Sequence, residues 1–160
     1  MTSRVIGIDP GSAATGWAVV TVEGNRYQLH DFGVIRPKGD DRSTRLADLA
    51  QRLAKIVEGQ NPDQAAVETP FTGRNPRSTF VLAEARGVIL SVLGSAKIGV
   101  TDYTPAEVKK SIVGHGRAEK SQIAFMVSRL LGLSKAPPHD AADAMAIALT
   151  HIHHRPRQGI

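Results

Sequence analysis

One feature limits the possible folds of this chain more than any other: the apolar, β-branched run Val5-Ile6-Gly7-Ile8-Asp9, which ends on a carboxylate and is stopped at once by Pro10-Gly11. Such a run reads as a strand, and Gly16 to Val22, with Trp17, Val19, Val20 and Val22, reads as a second strand after a tight glycine turn. Leu29 to Ile35 supplies a third after the Gly24-Asn25 turn signal, so the chain is expected to open as an antiparallel meander. An aspartate that closes an apolar strand is costly to bury alone, so Asp9 requires a partner.

From Arg45 the period changes. Leu46, Leu49, Ala50, Leu53, Ile56 and Val57 follow the i, i+3, i+4, i+7 spacing of an amphipathic helix, which Gly59 and Pro62 end. Ala65 to Glu68 reads as a short buried strand, Thr69 to Pro76 as a loop, Arg77 to Leu93 as a helix and Ile98 to Tyr103 as a strand. Thr104-Pro105-Ala106-Glu107 is a helix-start signature: a capping threonine, proline at the first helical position and glutamate three residues after the cap. That helix is expected to reach Val113. Ile123, Val127, Leu130 and Leu131 mark another, and a last helix runs from Asp140 to the histidines near the end. Three strands followed by alternating helices and strands give an α/β mixed sheet flanked by helices.

A chain of 160 residues, 41% hydrophobic, fits a single domain. That domain is expected over residues 1–154, with a flexible basic tail over 155–160. The absence of cysteine excludes disulfides, thiolate nucleophiles and Cys-type zinc sites. Twenty lysines and arginines against fifteen acids favour an anionic partner, nucleic acid being the commonest, although such an excess also aids solubility alone. The amino terminus lacks a signal-peptide h-region, and apolar stretches such as Gly87 to Gly94 fall short of the roughly 20 residues that span a bilayer. A soluble cytoplasmic protein without membrane contact is expected.

Asp9 and Glu68 close two strands, the sheet positions at which open α/β folds place ligands. Asp140 and Asp143 are three apart, about 60° around a helix, and can face one point on the sheet. Gathered in one site, four carboxylates repel one another, and a pair of hard divalent cations resolves the repulsion. Magnesium takes oxygen ligands and retains waters, and two such ions suit in-line phosphodiester hydrolysis. Taken singly, Asp140 also fits a helix cap and Glu68 a surface ion pair.

Gly7-Ile8-Asp9-Pro10-Gly11 with Thr15-Gly16, Val67-Glu68, and Asp140-Ala141-Ala142-Asp143-Ala144 closely resemble the RuvC family of Holliday junction resolvases. Ala85-Arg86-Gly87, Val113-Gly114 and Ala118-Glu119-Lys120-Ser121-Gln122 extend the resemblance from about Val5 to His153. It implies a ribonuclease H-like fold and a homodimer that nicks two like-polarity strands of a four-way DNA junction. It also implies two Mg2+ ions per site (Mn2+ as an alternative) on Asp9, Glu68, Asp140 and Asp143, and the branch-migration proteins RuvA and RuvB as partners. His139 precedes Asp140 and, at i, i+4 from Asp143, stands as a further candidate ligand or proton carrier, since some members of the family use histidine there.

For DNA, Phe71 stands in the polar loop Thr69 to Asn75, where the resemblance suggests stacking on bases near the cut; anchoring the loop to the core is the alternative. Arg74 and Arg77 flank that loop, and Lys109, Lys110, Arg117 and Lys120 cluster around Gly114-His115-Gly116. The family match singles out Lys109 and Lys120 as phosphate contacts. His151, His153 and His154 read as exposed residues on a fraying helix rather than a zinc site. Three other readings compete with the resolvase. An actin-like kinase would need two lobes and a longer chain, and a non-catalytic junction-binding module would not need four acids. A nuclease for RNA in hybrids or for plain duplex shares the same acids.

Overall fold

The computed structural model describes residues 2–69 and 75–155. Five strands form one mixed sheet: β1 (Ser3–Asp9), β2 (Thr15–Glu23), β3 (Arg26–Ile35), β4 (Gln64–Glu68) and β5 (Gly99–Tyr103), in the order β3-β2-β1-β4-β5. The first three pair antiparallel as a meander, while β4 and β5 run parallel to β1 and carry their carboxyl ends to the same edge as Asp9. The helices are α1 (Arg42–Gln60), α2 (Pro76–Ser95), α3 (Pro105–Val113), α4 (Lys120–Leu131) and α5 (His139–His154).

The alternation of a strand decides which helix each side chain meets. Ile6, Ile8, Trp17, Val19 and Val67 point to one face, where they are buried with Leu49 and Leu53 of α1 and Ile89 and Leu93 of α2. Val5, Ala18, Val20, Ala66 and Tyr103 point to the other face, against α3, α4 and α5. Helix α5 lies between the sheet and α3 and α4. It is therefore buried almost all round from Ala141 to Ile152, and its small residues allow the close approach.

Local chemistry sets most boundaries. The α3 capping box is present: Glu107 N donates to Thr104 Oγ1 at 3.2 Å and Thr104 N to Glu107 Oε2 at 2.8 Å. Helix α1 begins at Arg42, before the expected Arg45, because the Asp41 carboxylate caps it by accepting from Thr44 N at 2.8 Å. Strand β3 begins at Arg26 rather than Leu29, since pairing with β2 extends it beyond its apolar part. A register shift between Val19 and Val20 interrupts that pairing.

Helix α2 is 20 residues long and, by length and composition alone, matches a membrane span, so the apolar content here exceeds what its short runs suggested. Only 17% of its apolar 18-residue window is buried. Ala85, Ile89 and Leu93 face the core, and Arg86 Nη2 donates to Asp102 Oδ1 at 2.5 Å. The opposite side presents Phe80, 71% exposed.

At the carboxyl end His153 and His154 are exposed as expected, but His151 is not, and the helix end is not frayed. His151 is buried, with Nδ1 2.9 Å from Tyr103 Oη and Nε2 2.7 Å from Gln64 Oε1. His153 Nδ1 meets Ser111 Oγ at 3.0 Å, and His154 Nδ1 meets the Thr150 carbonyl at 2.8 Å. The end of α5 is thus bonded to β4, β5 and α3, not frayed. Arg155, expected in a flexible tail, also donates to Gln64 Oε1. The rest of that tail lies outside the described residues.

Candidate active site

The site forms where the carboxyl ends of β1 and β4 meet the amino end of α5. Gly16 pairs with Asp9 across β1 and β2, and it has no side chain to hold the helix away: a Cβ there would overlap the Asp140 carbonyl oxygen. Gly7, two residues before Asp9, is crossed in the same way by Ala144 and Ala148; a Cβ would lie 2.7 Å from Ala148 N. Two glycines therefore let α5 lie close on the sheet and bring its first turn beside Asp9. Neither was picked out from the sequence for this reason, although the GIDPG and Thr15-Gly16 motifs contain both.

One carboxylate oxygen from each of Asp9, Asp140 and Asp143 lies within 4.8 Å of the others. Glu68 stands outside this group but lines the same cleft of about 280 Å3, together with Asp9, Asp143, Lys109 and Lys120. His139, the first residue of α5, is exposed and is not one of the clustered ligand atoms. Asp140 is not the helix cap, because Pro138 holds that position.

The electrostatics follow from burial. Desolvation pushes the Asp9 carboxyl up to about 8, helped by the charges of Glu68, Asp143 and Asp140 and by a hydrogen bond in which protonated Asp9 donates to Asp143. Glu68 is pushed up to about 7 by burial and then by Asp143, against the opposing charges of Lys109 and Lys120. Asp143 is raised as well, chiefly by burial, with Lys120 opposing. Two half-buried acids that resist ionisation beside a third are a donor set short of positive charge. The donors are all hard oxygen, without thiolate, and fit a hard divalent cation.

The predicted DNA contacts divide. Lys109 and Lys120 line the cleft, while Arg77, Lys110 and Arg117 are exposed and are not among its lining residues. Phe71 and Arg74 lie outside the described residues.

A family model described as crossover junction endodeoxyribonuclease RuvC matches residues 5–151. The crossover junction endodeoxyribonuclease RuvC of Azorhizobium caulinodans is 44% identical over 153 residues, covering 95% of this chain and 90% of that protein. Its counterpart in Nitratidesulfovibrio vulgaris is 43% identical over 151 residues, covering 94% and 91%. The structure of Thermus thermophilus RuvC in complex with Holliday junction substrate superposes with a TM-score of 0.90 at 34% identity, covering 95% of this chain and 94% of that one. With a sheet and helices that match from end to end, this chain belongs to the RuvC family of crossover junction endodeoxyribonucleases and has its ribonuclease H-like fold.

Proposed function

We propose that this chain resolves Holliday junctions by metal-dependent nicking of two like-polarity DNA strands, one at each active site of a homodimer. The observation that carries the reading is the convergence of Asp9, Asp140 and Asp143 within 4.8 Å, beside Glu68 and two lysines in one cleft. The likeness to an enzyme solved with a Holliday junction supports the substrate.

Asp9, Glu68, Asp140 and Asp143 would hold magnesium, with manganese as a substitute, as two ions in each site. When bound, the ions supply the positive charge and Lewis acidity that hydrolysis of a phosphodiester needs. The chain's own residues prepare the site. Burial keeps Asp9 and Glu68 reluctant to ionise, so both would give up protons when they hold a cation. Lys109 and Lys120 hold the scissile phosphate by charge, and the exposed Arg77, Lys110 and Arg117 track the arms of the junction. Phe71 and Arg74 are assigned to the same DNA from the sequence alone.

For the dimer, the exposed side of α2 around Phe80 is the surface we assign to the second protomer, which would give two cleft-bearing sites. RuvA and RuvB follow as partners from family membership, testable by co-purification.

The test is cleavage of a labelled four-way junction beside linear duplex and RNA/DNA hybrid, with magnesium or manganese, using Asp9→Asn and Asp143→Asn as controls. Paired nicks in the junction alone, lost in both variants, are expected. Equal cutting of all three substrates, or full activity in Asp9→Asn, would remove the reading.

A further inference from the structure

Across the sheet from the acids lies a cavity of about 360 Å3 that the chemistry above does not use. Its mouth is the loop Gly11 to Ala13, which directly follows Asp9 and Pro10, and its floor is apolar, formed by Leu46, Leu49 and Val81. Three charged side chains complete it: Arg42 and Arg45 from the first turn of α1, and Glu84 from α2. The volume is at the lower end of ligand sites, roughly 300–1,000 Å3.

Two of those charges are left incompletely matched. Arg45 reaches only the Gly39 carbonyl at 3.4 Å and makes no ion pair among the described residues. Glu84 Oε2 is shielded from solvent beside Arg42 Nε, 3.2 Å away, so a ligand meets the other oxygen of this partly exposed side chain. An exposed guanidinium without an ion pair, an apolar floor and an open carboxylate oxygen suit a ligand with an anion, a flat ring and an N–H.

We propose that this cavity seats one nucleotide of the junction, its base on the Leu46, Leu49 and Val81 floor, its phosphate on Arg45 and a base N–H on Glu84. The assignment rests on the junction reading given above. A base at a crossover has lost a stacking neighbour, and an apolar floor replaces it. A carboxylate accepts from exocyclic amino or ring N–H groups and so favours bases that offer one. Reach is adequate: Ser12 is three residues from Asp9, at most about 11 Å of chain, or roughly three nucleotide steps of about 3.4 Å. A strand with its scissile phosphate at Asp9 can place a neighbouring nucleotide here.

The experiment uses the full-length protein and junctions carrying 2-aminopurine at successive positions beside the crossover, read before magnesium is added. The emission should change at one position. Arg45→Ala, at an exposed residue, should abolish that change and weaken junction binding about tenfold, with a smaller effect on linear duplex. Glu84→Gln should leave binding within about threefold of wild type but reorder cleavage among junctions that differ in the base at that position. If wild type cuts junctions selectively while both variants match it in affinity, emission and base preference, the proposal fails alone. If wild type does not prefer junctions, it falls together with the function it rests on. Conversion of a dimer to monomers by Arg45→Ala in sedimentation would assign the cavity to the protomer interface and equally overturn it.

Discussion

Gly16 on β2 lies directly beneath the backbone of Asp140 on α5, so close that a Cβ at Gly16 would overlap the Asp140 carbonyl oxygen. The same glycine is the cross-strand partner of Asp9. One residue without a side chain thus sets the distance between the acid that closes the first strand and the two acids that open the last helix.

Gly16→Ala should therefore damage activity more than stability. The added methyl meets backbone on a packed helix and can be accommodated only by lifting α5. Overpacking of this kind costs about 1–3 kcal/mol, whereas displacement of catalytic groups by an ångström costs on the order of 100-fold in rate. Urea denaturation and single-turnover cleavage separate the two. A variant that cuts at the wild-type rate would show that α5 need not lie so close.

Asp9 and Glu68 predict an unusual pH profile for the metal-free protein. Their folded values, about 8 and about 7, stand above the ordinary 3.8 and 4.5. A raised folded pKa means that the native state holds the proton more tightly than the unfolded chain does. The associated stability is complete below about pH 4 and declines as pH rises through about 8. In EDTA, Tm should fall between pH 5 and 9, and Asp9→Asn should flatten the decline and raise Tm at pH 9. Magnesium should restore Tm most at the alkaline end, with release of protons in calorimetry.

Lys120 opposes the raised values of both Glu68 and Asp143, whereas Lys109 acts on Glu68. Replacing Lys120 with alanine should move the acid limb of the pH–rate profile to higher pH, and Lys109→Ala should move it less. Both should weaken junction binding by a similar factor if each also contacts phosphate. Equal displacement of the acid limb by the two variants would contradict the difference in their positions.

What could be read from the sequence was local. A strand that ends on aspartate, a capping box and an i, i+3 pair of acids each declare themselves within a few residues, and Asp9, Asp140 and Asp143 do converge. The reasons for their convergence are not local. Gly7 and Gly16 matter because of a helix more than 120 residues later in the chain, and no periodicity marks such a contact. Helix α2 was legible as a helix with paired apolar faces, one of which could serve an interface, but how little of it the core would cover was not, since the default for apolar residues is burial. The cavity behind Asp9 draws on a loop, α1 and α2, and no motif announces it. The burial of His151 escapes a local reading for the same reason: its partners, Tyr103 and Gln64, are 48 and 87 residues away in sequence.

That histidine carries the last prediction. Its ring joins α5 to β5 through Tyr103 Oη at 2.9 Å and to β4 through Gln64 Oε1 at 2.7 Å, from a buried position. Burial lowers its pKa, with Arg155 and His154 adding to the effect, so the folded protein holds it neutral. A depressed folded pKa contributes stability that is present above the unfolded value of 6.5 and is lost as pH falls toward the folded one. His151→Ala leaves a cavity and two polar groups without partners, and should cost about 2–4 kcal/mol at pH 8. Because the site acids sit at the opposite end of α5, cleavage at a temperature where the variant is fully folded should stay near the wild-type rate. Below pH 6.5 the difference in stability between the two proteins should narrow, because wild type alone pays for protonating this ring. A gap in urea midpoint that stays constant from pH 8 to pH 5 would mean that His151 is not the group that titrates there.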